Sequence, residues 1–209
     1  MKDIPSPIDL KDMNDAREWA NKAFVARPYR TKFLDIFSQK ISQSPLQAPR
    51  VLELGSGPGF LIERILRDNE SVVYTALDFS EAMHQLARER LGRLADKVSF
   101  CLRSFKEKGW YANLGEFDFV ITMQAVHELR HKEYVPALLS DVRSVLSPGG
   151  TFLYCDHHCG EGGLDNSELY MLREEQHTVL NSHFSPVSLV YAEGSLILWE
   201  AGGLQEKLR

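Results

Sequence analysis

The 209-residue sequence predicts a doubly wound α/β fold, in which helices cover both faces of a mostly parallel β-sheet. From residue 50 onward, short apolar runs alternate with amphipathic segments, and five of these runs are RVLELG, SVVYTALD, KVSFCL, FDFVITM and GTFLYCD. Runs that are apolar almost throughout are typical of strands buried on both faces of a parallel sheet. Right-handed crossover connections between such strands then favour the doubly wound topology.

Two amphipathic helices are predicted to precede the sheet. Ala16, Trp19 and Ala23 recur at helical spacing until Pro28, and a second apolar stripe begins at Phe33. We expect this part of the chain to form cap helices next to the sheet.

The residues after the fifth apolar run predict a helix and a closing β-hairpin. The helix is expected around Arg173 to Asn181. The runs PVSLVYA and SLILWEA then flank Glu193-Gly194, a dipeptide suited to a tight turn. The sheet should therefore end in an antiparallel strand pair, which brings the total to seven strands.

The amino-acid composition indicates the number of domains and the classes of partner that the protein can bind. With 44% hydrophobic and 25% charged residues, we expect one domain over residues 1–209, made of N-terminal cap helices (1–49) and a ligand-binding core (50–209). A net charge of −5 gives no general attraction to nucleic acid or anionic lipid, so we predict neither a nucleic-acid nor a membrane partner. The sequence has no apolar signal segment and no apolar run of about 18 residues, and its three cysteines are too few for a secreted disulfide scaffold. We predict a cytoplasmic protein.

A glycine-rich turn follows the first predicted strand in VLELGSGPGF. Gly55, Gly57 and Gly59 permit positive φ angles and a close approach of the backbone to a ligand, although such glycines also serve plain turns. Asp78 ends the second strand, where a carboxylate can accept hydrogen bonds from both hydroxyls of a ribose. Alternatively, Asp78 is a loop acid or a helix N-cap, a role that Ser80 can also fill. Together the turn and the acid indicate a nucleoside-binding site.

Several motifs, in order along the chain, resemble those of the class I S-adenosylmethionine-dependent methyltransferases. VLELGSGPG is similar to the first motif of that family, ALDFS to the second, FDFVITMQAVHEL to the fourth, and LSPGGTFLYCD to the segment that enters the fifth strand. The resemblance covers roughly residues 50–157, and the tail is similar to the family's last helix and antiparallel strand pair. It implies a Rossmann-like seven-stranded fold, methyltransferase activity, and S-adenosyl-L-methionine as the cofactor.

The resemblance also implies which residues contact the cofactor. The glycine turn would hold its methionine half, Asp78 its ribose, and Phe79 and Met83 would lie near its adenine. Many members of the family end the third strand in Gly-Asp, whereas this chain has RSF at residues 103–105, where Ser104 can still hydrogen-bond. The predicted cofactor contacts are Glu53, Gly55, Ser56, Gly57, Gly59, Asp78, Phe79, Met83, Ser104, Phe105 and Gln124.

The stretch HELRH, residues 127–131, matches the zinc-peptidase pattern H-E-x-x-H. That pattern needs both histidines on one continuous helix. Pro136 fits the first turn of a helix that begins near Lys132, but it would break a helix running from His127. A zinc hydrolase, with Glu161 as a distal ligand, is therefore a remote alternative. His127 lies just beyond the fourth strand, where it can act as a general base or bind substrate, or it is a loop histidine bonded to backbone.

The stretch CDHHC, residues 155–159, also contains potential metal ligands. Consecutive residues of an extended chain point in alternate directions, so they cannot all face one ion. Because the fourth strand also ends without a carboxylate, we predict no metal ion. Asp156 and His157 should instead emerge at the carboxyl end of the fifth strand, as part of the substrate pocket. The candidate catalytic residues are His127 and His157, with His158 as a further competitor, and the predicted substrate contacts are Trp19, Tyr29, Arg30, His127, His157 and His158.

The class of methyl acceptor is narrowed by exclusion. The Asn/Asp/Ser-Pro-Pro-aromatic motif of amino-directed DNA methyltransferases is missing after the fourth strand, and no Pro-Cys pair is available for attack on cytosine. We therefore predict a small-molecule acceptor, methylated by in-line transfer. The alternative is a non-catalytic regulatory protein that binds the cofactor, because the end of the third strand departs from the family pattern.

Overall fold

The computed structural model describes residues 2–202; Met1 and residues 203–209, which the single-domain prediction includes, lie outside the described part. Within it, the α-helices are α1 (Met13–Ala26), α2 (Arg30–Ser42), α3 (Phe60–Asp68), α4 (Glu81–Leu91), α5 (Val135–Val145) and α6 (Arg173–Asn181). The strands are β1 (Arg50–Leu54), β2 (Val73–Asp78), β3 (Val98–Leu102), β4 (Phe117–Met123), β5 (Leu146–His157), β6 (Val187–Glu193) and β7 (Leu196–Gly202). None of these helices is both long and apolar enough to cross a lipid bilayer.

The strands form one seven-stranded sheet in the order β3-β2-β1-β4-β5-β7-β6. The first five strands run parallel, and β7 runs antiparallel to both β5 and β6. The predicted Rossmann-like, doubly wound fold with a C-terminal antiparallel pair is therefore confirmed. The strand order reverses between β1 and β4, so their carboxyl ends form the topological switch point where such sheets bind ligands.

Alternating side chains of the strands build apolar layers on both faces of the sheet. On one face Leu52 of β1 packs in a buried cluster with Leu139 of α5, while on the other face Val51 shares a cluster with Phe37 of α2 and Ile62 of α3. All five side chains are buried. Burial on both faces explains why the strands are apolar almost throughout.

The two N-terminal helices pack on helices that cover the sheet: α2 lies against α3, and α1 lies against α4. Asp12 caps α1, since its carboxylate accepts hydrogen bonds from the first free backbone N–H groups of the helix. Ala16 is buried in a cluster with Met83 and Leu86 of α4, the helix that follows β2. This packing places α1 beside the switch point.

Candidate active site

The turn after β1 is built from glycines with left-handed backbone and lies at the switch point. Gly55 and Gly57 have φ angles of +69° and +54°. The backbone N–H of Gly57 donates to Asp78 Oδ2 at 2.8 Å, and that of Ser80 donates to Asp78 Oδ1 at 2.9 Å. Ser80 Oγ accepts a hydrogen bond from Met83 N–H at 3.1 Å and thereby caps α4. Ser80 is thus the helix cap, and Asp78 joins the ends of β1 and β2.

The carboxyl group of Asp78 is 4% exposed, and burial raises its pKa to about 6. Backbone N–H groups of Gly57, Ser80 and Phe79 oppose this shift, because they stabilise the charged form. A carboxylate oxygen can accept more than one hydrogen bond. Asp78 therefore retains acceptor capacity for the hydroxyl groups of a ligand.

A cavity of about 940 Å³ lies over the carboxyl ends of β1, β4 and β5. The glycine turn and Asp78 line its β1–β2 side, and residues that follow β4 and β5 line the other side. In the described chain, the buried atoms Ser56 Oγ and Gln124 Oε1, both from residues lining this cavity, have no hydrogen-bond partner. Buried polar atoms without partners are rare in native proteins, so these two atoms are suited to bind polar groups of a ligand.

The HELRH stretch folds as two short turns. His127 lies in a 3₁₀ turn, Arg130 has a left-handed φ of +67°, and His131 is extended and begins the next turn. Helix α5 then begins at Val135 with Pro136 in its first turn. The two histidines do not share a helix, which agrees with the break predicted from Pro136. Among the residues that the structure describes, no group of three or more His, Cys, Asp or Glu side chains could hold a metal ion.

The imidazole of His127 is held by the buried carboxylate of Asp156, near the end of β5. His127 Nδ1 lies 2.7 Å from Asp156 Oδ1, and the backbone N–H of His127 donates to Asp156 Oδ2 at 2.8 Å. Because Nδ1 faces a carboxylate, Nδ1 carries the proton in the neutral imidazole, and Nε2 is the atom with the free lone pair. Nε2 lies 3.5 Å from Oε1 of Glu128, another residue in the cavity lining.

His127 and Asp156 each stabilise the charged form of the other. Burial lowers the pKa of His127, whereas the charge and hydrogen bond of Asp156 and the charge of Glu128 raise it. Together these opposing causes outweigh burial, and the pKa of His127 is raised. Conversely, burial raises the pKa of Asp156, but the contacts with His127 and His157 together outweigh burial, and the pKa of Asp156 is lowered. The pair therefore favours a carboxylate next to an imidazole that holds its second proton more tightly than usual.

His157 differs from His127 because both of its ring nitrogens are bonded to protein groups. Nδ1 lies 2.7 Å from Ser195 Oγ, and Nε2 accepts a hydrogen bond from the side-chain amide of Gln124 at 2.9 Å. Burial lowers the pKa of His157 to about 3, so its ring is neutral. The Tyr170 ring lies 5.7 Å from the ring of His127 and 5.8 Å from that of His157. His157 and Tyr170 thus form a wall of the cavity beside His127.

Most of the site residues predicted from the sequence are brought together in this cavity. Those in its lining are Trp19, Arg30, Glu53, Gly55, Ser56, Gly57, Asp78, Phe79, Met83, Phe105, Gln124, His127 and His157.

Four predicted contacts lie outside the lining: Gly59, Ser104, Tyr29 and His158. Gly59 packs against α4, and the hydroxyl of Ser104 accepts a hydrogen bond from the backbone of its own turn. Tyr29 packs against the glycine of the β6–β7 turn, and the backbone N–H of His158 donates to a carbonyl at the start of that hairpin's second strand. These four residues therefore make contacts within the protein away from the cavity lining.

Residues 4–10, named here the N-terminal strap, line the cavity with every residue except Asp9, and the sequence did not predict this. The N–H of Ile4 donates to the carbonyl of Arg130, whose guanidinium donates to the carbonyls of Ile4 and Pro5, both at 2.9 Å. Leu10 O accepts a hydrogen bond from the Ser80 hydroxyl. The strap therefore joins the turn after β4 to the turn after β2 and covers the switch point.

Comparison with known proteins agrees with this geometry. Residues 51–150 match the family model of a methyltransferase domain, a segment that contains the glycine turn, Asp78 and the His127 turn. Residues 51–150 therefore form a methyltransferase domain of the S-adenosylmethionine-dependent family.

Relatives of this chain include much longer proteins. It is 29% identical over 109 residues to the reducing polyketide synthase Preu2 of Preussia isomera, across 50% of this chain and 4% of the synthase. It is also 29% identical to the phthiotriol/phenolphthiotriol dimycocerosates methyltransferase of Mycobacterium leprae, across 68% of this chain and 53% of that protein. The chain thus spans about half of one relative and a small part of the other.

A solved structure described as a complex of DhpI with SAH shares the fold of this chain. The TM-score is 0.68 at 16% identity, and the match covers 94% of this chain and 97% of that chain. At this identity the likeness shows a common architecture.

S-adenosyl-L-methionine is the cofactor of this family, and groups in the cavity suit parts of this molecule. Asp78 has acceptor capacity for ribose hydroxyls, and open space lies where Gly57 would carry a Cβ, so a ligand can approach the backbone. Burial raises the pKa of Glu53 well above its ordinary value, although the hydroxyl of Tyr74 donates to its carboxyl group at 2.8 Å. A cationic amino group beside Glu53 would favour its charged form.

The strap leads to a prediction for cofactor affinity. We expect Arg130→Ala to raise the Kd for S-adenosylmethionine about tenfold, because it removes two hydrogen bonds that hold the strap over the cavity. Arg103→Ala is the matched control, since Arg103 also donates to two backbone carbonyls, at 2.7 Å, but does not line the cavity. Titration calorimetry of both variants checks this. Equal losses of affinity in the two variants would show that the strap has no specific role.

Proposed function

We propose that this protein transfers the methyl group of S-adenosylmethionine to a small-molecule acceptor, with His127 as the general base. The observation that carries the proposal is the continuity of one cavity, which Asp78 lines on one side and His127, held by Asp156 behind it, on the other. When bound, the cofactor supplies an electrophilic methyl group on a sulfonium centre. The size of the cavity suits a small acceptor held together with the cofactor.

The protein's own residues then position the acceptor and move one proton. Neutral His127 accepts the proton of the acceptor at Nε2, and Asp156 stabilises the resulting imidazolium through its bond to Nδ1. Because both ring nitrogens of His157 are bonded within the protein, His157 does not compete as the base, and its ring serves as a wall beside the acceptor. The strap and α1 exclude water, and the remaining barrier is lowered by holding nucleophile and methyl group in line.

The names of the two relatives support a small acceptor that carries a long apolar body. One relative is a polyketide synthase, and the other is named for methylating phthiotriol-type dimycocerosates. The cavity offers apolar lining from Leu34, Leu164 and Leu169 for such a body.

Binding of the cofactor tests the first half of the proposal. We expect the wild-type protein to bind S-adenosylmethionine, and Asp78→Ala to raise the Kd about 10- to 100-fold, because charge-assisted hydrogen bonds to the ribose are lost. Asp118→Ala is the matched control, since the Asp118 carboxylate also accepts a backbone N–H, from Arg50 at 2.8 Å, but does not line the cavity. Calorimetric titration measures all three proteins. Undetectable binding by the wild type would overturn the proposal.

Turnover with an acceptor tests the second half of the proposal, the transfer of the methyl group. A panel of small alcohols, phenols, carbon acids and thiols is incubated with the protein and S-adenosylmethionine, and release of S-adenosylhomocysteine is measured. Release that depends on an acceptor supports catalysis. Cofactor binding without acceptor-dependent release from any member of the panel would favour the non-catalytic alternative.

A further inference from the structure

The acceptor side of the cavity carries two arginine side chains. Arg27 directly follows α1 and Arg30 begins α2, and both line the cavity. Arg30 is 5% exposed; its Nη1 donates to the carbonyl of Ala23 at 3.2 Å, and its guanidinium lies 5.4 Å from the centre of the Trp19 ring. The packing of Arg30 against Trp19 and the α1 backbone fixes where its positive charge lies.

The positive charges of Arg27 and Arg30 affect groups near the end of β5, where the acceptor is expected to bind. Burial is the main cause that lowers the pKa of His157, and the charges of Arg27 and Arg30 lower it further. Burial raises the pKa of Tyr170, and Arg27 opposes that shift. Both arginines therefore lie within electrostatic reach of the wall beside His127.

The surroundings of Arg30 favour an anion. Burial and the like charge of Arg27 lower the pKa of Arg30 to about 10. An anionic group placed between two such cations would be stabilised by both.

We infer that the methyl acceptor is an organic acid whose carboxylate binds between Arg27 and Arg30. Its apolar body then lies along Leu34, Leu164 and Leu169, and a separate O–H or C–H group reaches His127. Guanidinium groups suit this role, because their planar donors match the two oxygens of a carboxylate. The inference rests on the proposed methyl transfer and adds the class of acceptor.

The test compares matched acids and amides that differ only in charge. The probes are 4-hydroxybenzoate against 4-hydroxybenzamide, and 3-hydroxydecanoate against 3-hydroxydecanamide, each titrated by calorimetry into the protein saturated with S-adenosylhomocysteine. We expect at least one acid to bind about tenfold or more tightly than its amide, and this preference to fall below about threefold in Arg30→Gln and in Arg27→Gln. Arg30→Lys should keep part of the preference, and Arg64→Gln, a surface arginine paired with Asp35, should keep all of it.

Several outcomes would overturn the inference. One is the absence of any preference for the acids in the wild type, including the case in which no probe binds. Another is a preference that survives in Arg27→Gln, which replaces a less buried side chain than Arg30→Gln does and is structurally safer. A third is a tenfold loss of S-adenosylmethionine affinity in Arg30→Gln without any acceptor, which would assign the arginine to the carboxylate of the cofactor. Failure of the wild type to bind S-adenosylmethionine is a different result, because it contradicts the proposed methyl transfer itself.

Discussion

Replacing His127 with alanine is expected to lower kcat by about 100- to 10,000-fold, the range typical for loss of a general base. The cofactor affinity should change by less than about threefold, since the proposed cofactor groups at Asp78 and Gly57 do not depend on this imidazole. Turnover is measured with the best acceptor from the panel, and cofactor binding by calorimetry. His131→Ala is the matched control: it lies in the same HELRH stretch, but its ring caps a short turn through the backbone N–H of Glu133 and does not line the cavity. Equal loss of kcat in both variants would contradict the assignment.

The pH dependence of turnover separates a base from a merely structural histidine. The raised pKa of His127 means that its neutral, basic form is populated only above a pH higher than its ordinary value of 6.5. We therefore expect kcat/KM to rise with pH through that raised pKa. In Asp156→Asn the carboxylate that raises the pKa is absent while burial still lowers it, so this acid limb should move to lower pH and the maximal rate should fall. An acid limb that stays at the same pH in Asp156→Asn would show that another group controls it.

The sheet could be predicted well because each of its central strands is marked by an apolar run in the sequence. Runs such as FDFVITM are apolar almost throughout, and in the structure both faces of β4 are covered by helices. The glycine turn and Asp78 were predicted for a similar reason. They lie at the ends of strands, and the ends of adjacent parallel strands meet at one edge of the sheet.

The contacts that sequence reasoning missed join distant parts of the chain. The strap depends on hydrogen bonds between Ile4 and Arg130, and the IPSPID stretch gives no local sign of a partner 126 residues away. Likewise, Tyr170 comes from the long segment between β5 and α6, whose path no periodic pattern defines. Asp156 was predicted to lie near the site, but its bond to His127 could be seen only once β4 and β5 were paired.

The glycine turn provides the second large expected effect. A Cβ added at Gly55 would lie 2.3 Å from the Cβ of Ala125, and the backbone there has a φ of +69°. At Gly57 the φ is similar, +54°, but nothing lies within 4 Å of an added Cβ. We expect Gly55→Ala to lower the free energy of unfolding by about 3–5 kcal/mol, the sum of backbone strain and overpacking. Gly57→Ala should lower the free energy of unfolding by only about 1–2 kcal/mol, because it adds backbone strain without overpacking.

A third substitution separates the two causes at Gly55. Ala125→Gly removes the methyl group that an alanine at position 55 would strike, so the double variant Gly55→Ala/Ala125→Gly should recover about 1–3 kcal/mol relative to the sum of the single variants. Urea denaturation of the four proteins and the wild type measures these differences. Gly57→Ala supplies a further contrast, because its methyl group enters the cavity: it should weaken S-adenosylmethionine binding while leaving most of the stability intact. Equal losses of stability in Gly55→Ala and Gly57→Ala would contradict this explanation. They would show that position 55 requires a glycine for a reason other than the close approach of the β1 turn to Ala125.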